Sequence, residues 1–347
     1  MTAHVTLQDI ADKLKLSRTT ISLALHDHPR ISQPTKKKIW ALVRQLRYEP
    51  DHVARSLATG RSNLIGVMVT DSTNPYYADV IRGIEDGARE ANYHVVLSNG
   101  SYDLQVEAGR IQEMIRLRVA GIVAAPAFSS EKPVLPPFWR NLRRSRFPFV
   151  LVNRQLNPPI FHQVSADNVE GVRLAVDALA SLGHRRVAYI SGTPAVVPIC
   201  QRLAAFRRFA RKCGLDNDPE LFDCCELGPR GGYEACGRLW AKLSNRPTAV
   251  MALSDAEAFG VLRYFREHNV KVPEQVSVMG FDGFEASGFS HVSLSTVSTP
   301  MRQMGQEAVK LLIGAIEKRI QSSQSIVWPA KLELRESVGP VSSASVA

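Results

Sequence analysis

The stretch from Val5 to Leu25, VTLQDIADKLKLSRTTISLAL, carries the most readily recognised chemistry in this chain. It spells two short helical patterns joined by a turn, a spacing suited to laying the second helix in the major groove of DNA. Thr6 is placed to cap the first helix, with Asp9 three residues on to close a capping box. Leu7, Ile10, Ala11 and Leu14 share one face at i, i+3, i+4 and i+7. Ser17 is placed to cap the second helix, whose inward face is expected to be Thr20, Ile21 and Leu25. The small Ala11 lets the two helices approach closely. Turns of this kind often hold glycine. Here Lys15 must take the left-handed conformation, at a cost of roughly 1 kcal/mol. A third pattern from Pro34 to Leu46, apolar at Ile39, Leu42, Val43 and Leu46, completes a three-helix core.

Residues 51–61 read DHVARSLATGR. Pro50 separates them from the third helix, and VARSLA is too short to hold a helix alone in water. It is expected to order only when DNA and a partner subunit hold it. Charge agrees with a nucleic-acid partner: residues 1–62 hold eleven Lys and Arg against five Asp and Glu, +6 of the chain's formal +10. Such a head supplies salt-dependent phosphate affinity. The run Lys36-Lys37-Lys38 is expected to be a solvated face that steers DNA or touches its backbone without reading sequence.

The remaining residues must control this head. LIGVMVT, HVVLS, GIVAAP, FVLVN, RVAYISG, AVMALS and VSVMGF are short apolar runs, each followed by a helical pattern or a turn. Such alternation gives parallel sheets covered by helices. About 275 residues exceed one core of this type, so two α/β subdomains are expected. In open α/β sheets ligands bind beyond the carboxyl ends of the strands. Asp71, Asn74, Tyr76 and Tyr77 follow the first strand and become candidates for a binding cleft. Asn153 and Arg154 follow FVLV, Arg202 lies after YISG, Ser254 and Asp255 follow VMAL, and Asp282 follows VMGF. A guanidinium and a carboxylate can each grip adjacent sugar hydroxyls, and Tyr76 or Tyr77 can pack on a pyranose face.

The runs VTLQDIADKLKLSRTTISLALHD, RYEPDHVARSLATGRSNLIGV, DSTNPYYADVIRGIE, LGHRRVAYISG, RLAAF and VPEQVSVMGFD, in this order and spacing, resemble the lactose/galactose repressor family of bacterial transcription regulators. The resemblance covers nearly all of residues 4–337. It implies an N-terminal helix-turn-helix head followed by a two-subdomain, periplasmic-binding-protein-like α/β core with parallel sheets. The head would span residues 1–49 and a hinge helix and linker 50–62. The effector-binding and dimerisation domain would span 63–337. Its N-subdomain is expected at about 63–160 and 293–320, its C-subdomain at about 161–292 and 321–337, with a disordered tail at 338–347.

The family's base-reading positions fall on Arg18, Thr19 and Leu23. Arginine suits guanine O6/N7, threonine a hydrogen bond or a thymine methyl, and leucine apolar contact alone. Ala54 and Leu57 match the hinge that enters the minor groove, where an apolar wedge kinks DNA. Thr6, Ser17, Thr20 and Ser22 are phosphate-backbone or capping groups. In the family Arg202 and Asp282 hold polar groups of the effector, which makes them the strongest of the cleft candidates. Three departures bear on the ligand. Asn153 stands where the family usually has Asp, the loop TPAVVPIC is unusually apolar, and Leu227 replaces an aromatic that stacks on rings in some members. The first takes a carboxylate from the pocket rim and the last weakens a purine effector; a sugar or sugar derivative is the expected ligand.

The resemblance thus implies a homodimeric, cytoplasmic regulator of a carbohydrate operon. It would bind a pseudo-palindromic operator in double-stranded DNA and be released by a small-molecule inducer, the alternative being a co-repressor. Other classes find little support. Five cysteines without CxxC spacing suit reduced thiols in place of bridges or metal ligands. No catalytic or phosphate-loop motif is present, so no enzyme activity, cofactor or metal is expected. His184, in the LGHR turn, is expected to organise a loop. A sugar-binding transport protein would need a signal peptide and a sugar-modifying enzyme a paired nucleophile; neither is seen. No apolar run reaches membrane-spanning length.

Overall fold

The computed structural model describes residues 5–25, 27–46, 62–193, 196–216, 218–243, 245–320 and 322–341. The chain divides into two compact units, Met1–Ser62 and Asn63–Ala347. The expected hinge residues Ala54 and Leu57 lie outside the described residues.

In the first unit α1 (Leu7–Leu14), α2 (Arg18–Leu25) and α3 (Gln33–Gln45) enclose Ile10, Ala11, Ile21, Ala24, Ile39 and Val43. The capping box forms: Thr6 N donates to Asp9 Oδ2 at 2.7 Å, and Asp9 N to Thr6 Oγ1 at 3.3 Å. Lys15 takes φ 50°, ψ 42° and turns the chain, and Thr20 N donates to Ser17 Oγ at 3.0 Å to start α2. Two expectations need correction. Ala24 is buried beside Ile21, whereas Thr20 and Leu25 are only half-buried. Lys36 is not part of a solvated face, being 6% exposed with Nζ on Asp27 O at 3.0 Å and Asp27 Oδ1 at 2.5 Å. Its position one turn before Ile39 puts its stem against the core, while Lys37 and Lys38 stay exposed.

Among the described residues the second unit holds two six-stranded sheets. The first has the order β11-β5-β4-β3-β1-β2, formed by β1 (Leu64–Val69), β2 (His94–Asn99), β3 (Ile122–Ala124), β4 (Phe149–Val152), β5 (His162–Ala166) and β11 (Ser325–Trp328). All its pairings are parallel. The second has the order β12-β10-β9-β8-β6-β7, from β6 (Val187–Thr193), β7 (Phe222–Glu226), β8 (Ala249–Ala252), β9 (Ser277–Asp282), β10 (Ser295–Ser298) and β12 (Lys331–Glu333). Only β12 runs antiparallel, against β10. Helices α4 (Pro75–Glu90), α5 (Leu104–Arg116), α6 (Pro137–Arg144) and α11 (Met301–Ile316) pack on the first sheet. Helices α7 (Asn168–Ser181), α8 (Val197–Lys212), α9 (Pro229–Lys242) and α10 (Asp255–Glu267) pack on the second. Gly83 and Gly305 allow α4 and α11 to touch backbone to backbone: a Cβ on Gly83 would lie 1.9 Å from Arg302 O.

The subdomain boundaries differ from expectation. β5 joins the first sheet although residue 161 was to open the second, because the chain crosses only at Asp167, the N-cap of α7. β10, expected in the first subdomain, lies in the second sheet between β9 and β12. β11, expected in the second, pairs with β5 in the first. Residues 338–341 do not belong to a disordered tail as expected, and 342–347 lie outside the described residues. Val341 N donates to Leu182 O at 3.0 Å, Gly339 N to Ser277 Oγ at 3.1 Å, and Val338 packs on the second core. His184 anchors this strap, Nε2 lying 3.0 Å from Gly339 O and Nδ1 2.9 Å from Thr248 Oγ1. Its burial lowers the imidazole pKa, which suits a neutral structural ring.

Candidate functional site

On the head, Arg18 and Thr19 are exposed in the first turn of α2, with Leu23 half-buried one turn on. No acidic residue shares that turn, so the positive helix end and Arg18 both present attraction for phosphate and base acceptors. Thr6 and Ser17 are engaged as caps, and Thr20 Oγ1 shares a 2.8 Å hydrogen bond with Ser17 Oγ. Ser22 is half-buried on the same helix.

The core places its candidates at the carboxyl ends of the strands. Seven of them, Asn74, Tyr76, Tyr77, Asn153, Arg202, Ser254 and Asp282, line one small cavity of about 60 Å³. A water needs roughly 10–15 Å³ of such space, so the cavity holds a handful of waters. Arg202 and Asp282 form its floor. Arg202 Nη2 donates to Asp282 Oδ1 at 2.7 Å, Nε to Asn168 Oδ1 at 2.8 Å and Nη1 to Leu253 O at 2.9 Å, and the guanidinium lies 3.7 Å over Phe281. Both side chains of the ion pair are 6% exposed. Burial pushes the Asp282 carboxyl up to about 7 even with Arg202 beside it. Asp282 also sits at φ 108°, a conformation that side chains rarely adopt and that aims its carboxylate inward.

Two polar atoms in the cavity wall lack a partner among the described residues: the Tyr76 hydroxyl and Asn153 Oδ1. Buried polar groups are normally paired, so these two offer one donor and one acceptor to an occupant. Tyr76 and Tyr77 meet edge to face at 5.3 Å, and Asn74 holds them by capping α4 through Tyr76 N at 3.0 Å. Ser254 caps α10 by accepting from Ala256 N at 3.1 Å.

Three candidates do other work. Arg154 is fully buried away from the cavity, its guanidinium tied to the carbonyls of Ala125, Pro126 and Asn153 and to Tyr77 Oη. It staples the loop after β3 to the end of β4. Asp255 is also fully buried. Its Oδ2 accepts from Gly283 N, Phe284 N and Ser287 Oγ, and its Oδ1 from Thr296 Oγ1 at 2.5 Å. Burial pushes this carboxyl up to about 6 against those four donors. It fixes the loop that carries Asp282 and does not face a ligand. Asp71 closes a turn with Thr73 N at 2.9 Å and Thr73 Oγ1 at 2.7 Å, outside the cavity wall.

Tyr102 and Glu257 line the cavity and were not among the candidates. Tyr102 follows the end of β2, where the strand-end rule applies equally, and burial pushes its phenol up to about 12. Glu257 stands three residues after Ser254 in capping-box spacing. It accepts from Ser254 Oγ at 2.5 Å and Gly228 N at 2.7 Å. The opposite wall is apolar: Val196, Ile199 and Leu253 cluster with Leu227, Tyr102 and Ala127. Among the described residues no group of His, Cys, Asp and Glu is arranged to hold a metal, and no helix is long and apolar enough to cross a membrane.

Comparison with known proteins joins these two sites. Residues 6–51 match the model for bacterial regulatory proteins of the lacI family, and residues 176–338 that for a periplasmic binding protein-like domain. The transcriptional repressor CytR of Escherichia coli K12 is 30% identical over 338 residues, 96% of this chain and 96% of its own. The lac repressor dimer bound to operator and the anti-inducer ONPF superimposes with a TM-score of 0.87, at 22% identity over 96% of this chain and 99% of its own, a likeness of fold. A lacI-family regulator from Enterococcus faecalis with bound ribose is 29% identical over 80% of this chain and all of its own, with a TM-score of 0.70. A capped helix-turn-helix head, two mainly parallel sheets and 30% identity to a repressor over nearly the full length of both chains lead to one conclusion: this chain belongs to the lacI family of bacterial transcriptional regulators.

Proposed function

We propose that the chain is a homodimeric, cytoplasmic repressor of a carbohydrate operon that releases its operator when a sugar or sugar derivative enters the core cleft. The observation that carries this reading is the cavity itself: a buried Arg202–Asp282 pair beside the unpartnered Tyr76 hydroxyl and Asn153 oxygen. Vicinal hydroxyls can satisfy all four groups at once. Ribose in the Enterococcus faecalis regulator supports the ligand class. The head would read base edges with Arg18, Thr19 and Leu23, and residues 50–58 would form the hinge with Ala54 and Leu57 at the minor groove. Phe289, 84% exposed, would be a contact for the second copy.

The test pairs two measurements on the full chain. A thermal-shift screen against aldoses, ketoses and sugar acids should find a compound that raises the melting temperature, since ligand bound to the native state stabilises it by mass action. Selection of bound sequences from random duplexes should return a palindrome, and Arg18→Ala should lose preference at one base pair per half-site, worth about 1–3 kcal/mol. A palindrome left unchanged by Arg18→Ala removes that residue from readout. No stabilisation by any sugar removes the carbohydrate reading.

A further inference from the structure

α6 presents a feature that neither the head nor the cleft uses. Its Trp139 is fully buried among Phe128, Phe138 and Phe149, which fixes the helix firmly on the first sheet. The opposite face carries Arg140, Arg143 and Arg144, and Arg146 follows in the next loop at φ 55°. All four are exposed and, with Leu135, line a concavity of about 380 Å³. No Asp or Glu occurs anywhere from Lys132 to Ala166, and none of the four makes an ion pair among the described residues.

Like charges three and four residues apart destabilise a helix. The helix dipole favours cations in the last turn, which accounts for Arg143 and Arg144. It does not account for Arg140 in the first turn or Arg146 beyond the end. A clustered set of guanidiniums that costs stability alone is suited to several phosphates at once.

Position identifies the phosphates. Ala120 N donates to Leu64 O at 2.7 Å and Ile122 N to Pro148 O at 3.0 Å. The end of α5 and the loop before β3, with exposed Arg116 and Arg118, therefore adjoin the start of β1, and the loop bearing Arg146 adjoins the start of β3. Strand spacing puts β4 about 10 Å from β1. Ser62 and Asn63 lead into β1 at this edge, so residues 47–61 tether it to the DNA-binding head.

We propose that this arginine edge of the core grips the phosphate backbone of the duplex outside the segment read by the head. The inference rests on the DNA-binding reading above, and the test separates the two. The full chain and a variant with Arg143→Ala, Arg144→Ala and Arg146→Ala are titrated with two random duplexes over a range of salt. One duplex is about 16 base pairs and the other about 60. Each phosphate contact contributes a slope of about 0.9 in log K against log salt. On the long duplex the variant should therefore lose roughly 2 to 3 from its slope, and on the short one nothing. A control carrying Arg230→Gln, Lys242→Gln and Arg246→Gln, the same charge removed from the second layer, should match the wild type on both. Equal slopes for variant and wild type on the long duplex overturn the proposal, as does an equal loss in the control. A variant that weakens binding of inorganic pyrophosphate but not of the long duplex assigns the cluster to a free anion and also overturns it. If no protein binds either duplex, the DNA-binding reading itself fails.

Discussion

Replacing Asp282 by Ala removes one half of the buried ion pair under the cleft. Breaking such a pair typically costs about 3–5 kcal/mol, because the remaining charge is left buried. Two features place this case at the lower end. Arg202 keeps Asn168 Oδ1 and Leu253 O as acceptors and rests on the Phe281 ring. Burial also raises the Asp282 carboxyl to about 7, so desolvation offsets much of what Arg202 contributes. The expected loss is about 3 kcal/mol, and at about 2 °C per kcal/mol for a domain of this size the melting temperature should fall ~6 °C. Asp282→Asn, which keeps an acceptor for Arg202, should lose about half as much. Differential scanning calorimetry of the full chain reads both. Affinity for operator without effector should stay at the wild-type value, while any sugar that stabilises the wild type should no longer do so. A melting temperature within 1 °C of wild type would refute the reasoning, since it would mean that Asp282 is not closed on Arg202 in solution.

Three further outcomes follow from burial and close packing. Glu107 is fully buried on α5, accepts from Ala127 N at 3.0 Å, and is pushed by burial from 4.5 up to about 7. The fold favours its protonated form, so its contribution is present below about pH 4.5 and lost as pH rises through 7. Glu107→Gln should therefore gain up to about 3 kcal/mol on the wild type at pH 8 and nothing at pH 4; urea midpoints showing the same difference at both pH values would exclude this. Tyr76→Phe removes a hydroxyl that has no partner among the described residues, so stability should change by less than about 1 kcal/mol while affinity for a stabilising sugar falls roughly tenfold by calorimetric titration. Gly83→Ala drives a Cβ to 1.9 Å from the Arg302 carbonyl, where no flexible atom can yield. It should cost roughly 1–3 kcal/mol in urea unfolding, and a cost near zero would mean that α4 and α11 are not so closely crossed.

Much of the fold and of the site is legible in the sequence. The head was readable because its signals are local: the Thr6–Asp9 box, the Lys15 turn and the Ser17 cap depend on neighbours within four residues. The seven apolar runs named from the sequence all contain strands; six are central and buried, hence near-uniformly apolar, and β2 is a partly exposed edge strand. β5, β7 and β11 escaped that test. β5 reads HQVSA, and its Gln163 is buried only because it clamps Leu156 N and Leu156 O, each at 3.0 Å. β7, FDCCE, lies at the sheet edge with Asp223 turned to Arg238. The cleft was located by the strand-end rule, but residue type alone could not separate ligand-facing from supporting groups. Asp255 and Asp282 look alike in sequence, and only the former is surrounded by four protein donors.

The return of the chain from one sheet to the other at Asp167, Thr299–Pro300 and Pro329–Ala330 bears on how the protein is made. Each sheet borrows a strand from the last stretch of chain: β11 finishes one edge of the first, and β12 one edge of the second. On the ribosome, then, neither layer is complete when its first five strands have emerged. An unpaired edge of β5, and another of β10, must wait for residues 325–333. Open edges are where strands from other chains attach. A message cut short before residue 325 would thus release a chain in which β5 and β10, interior in the complete sheets, are left as open edges, a substrate for chaperones and proteases.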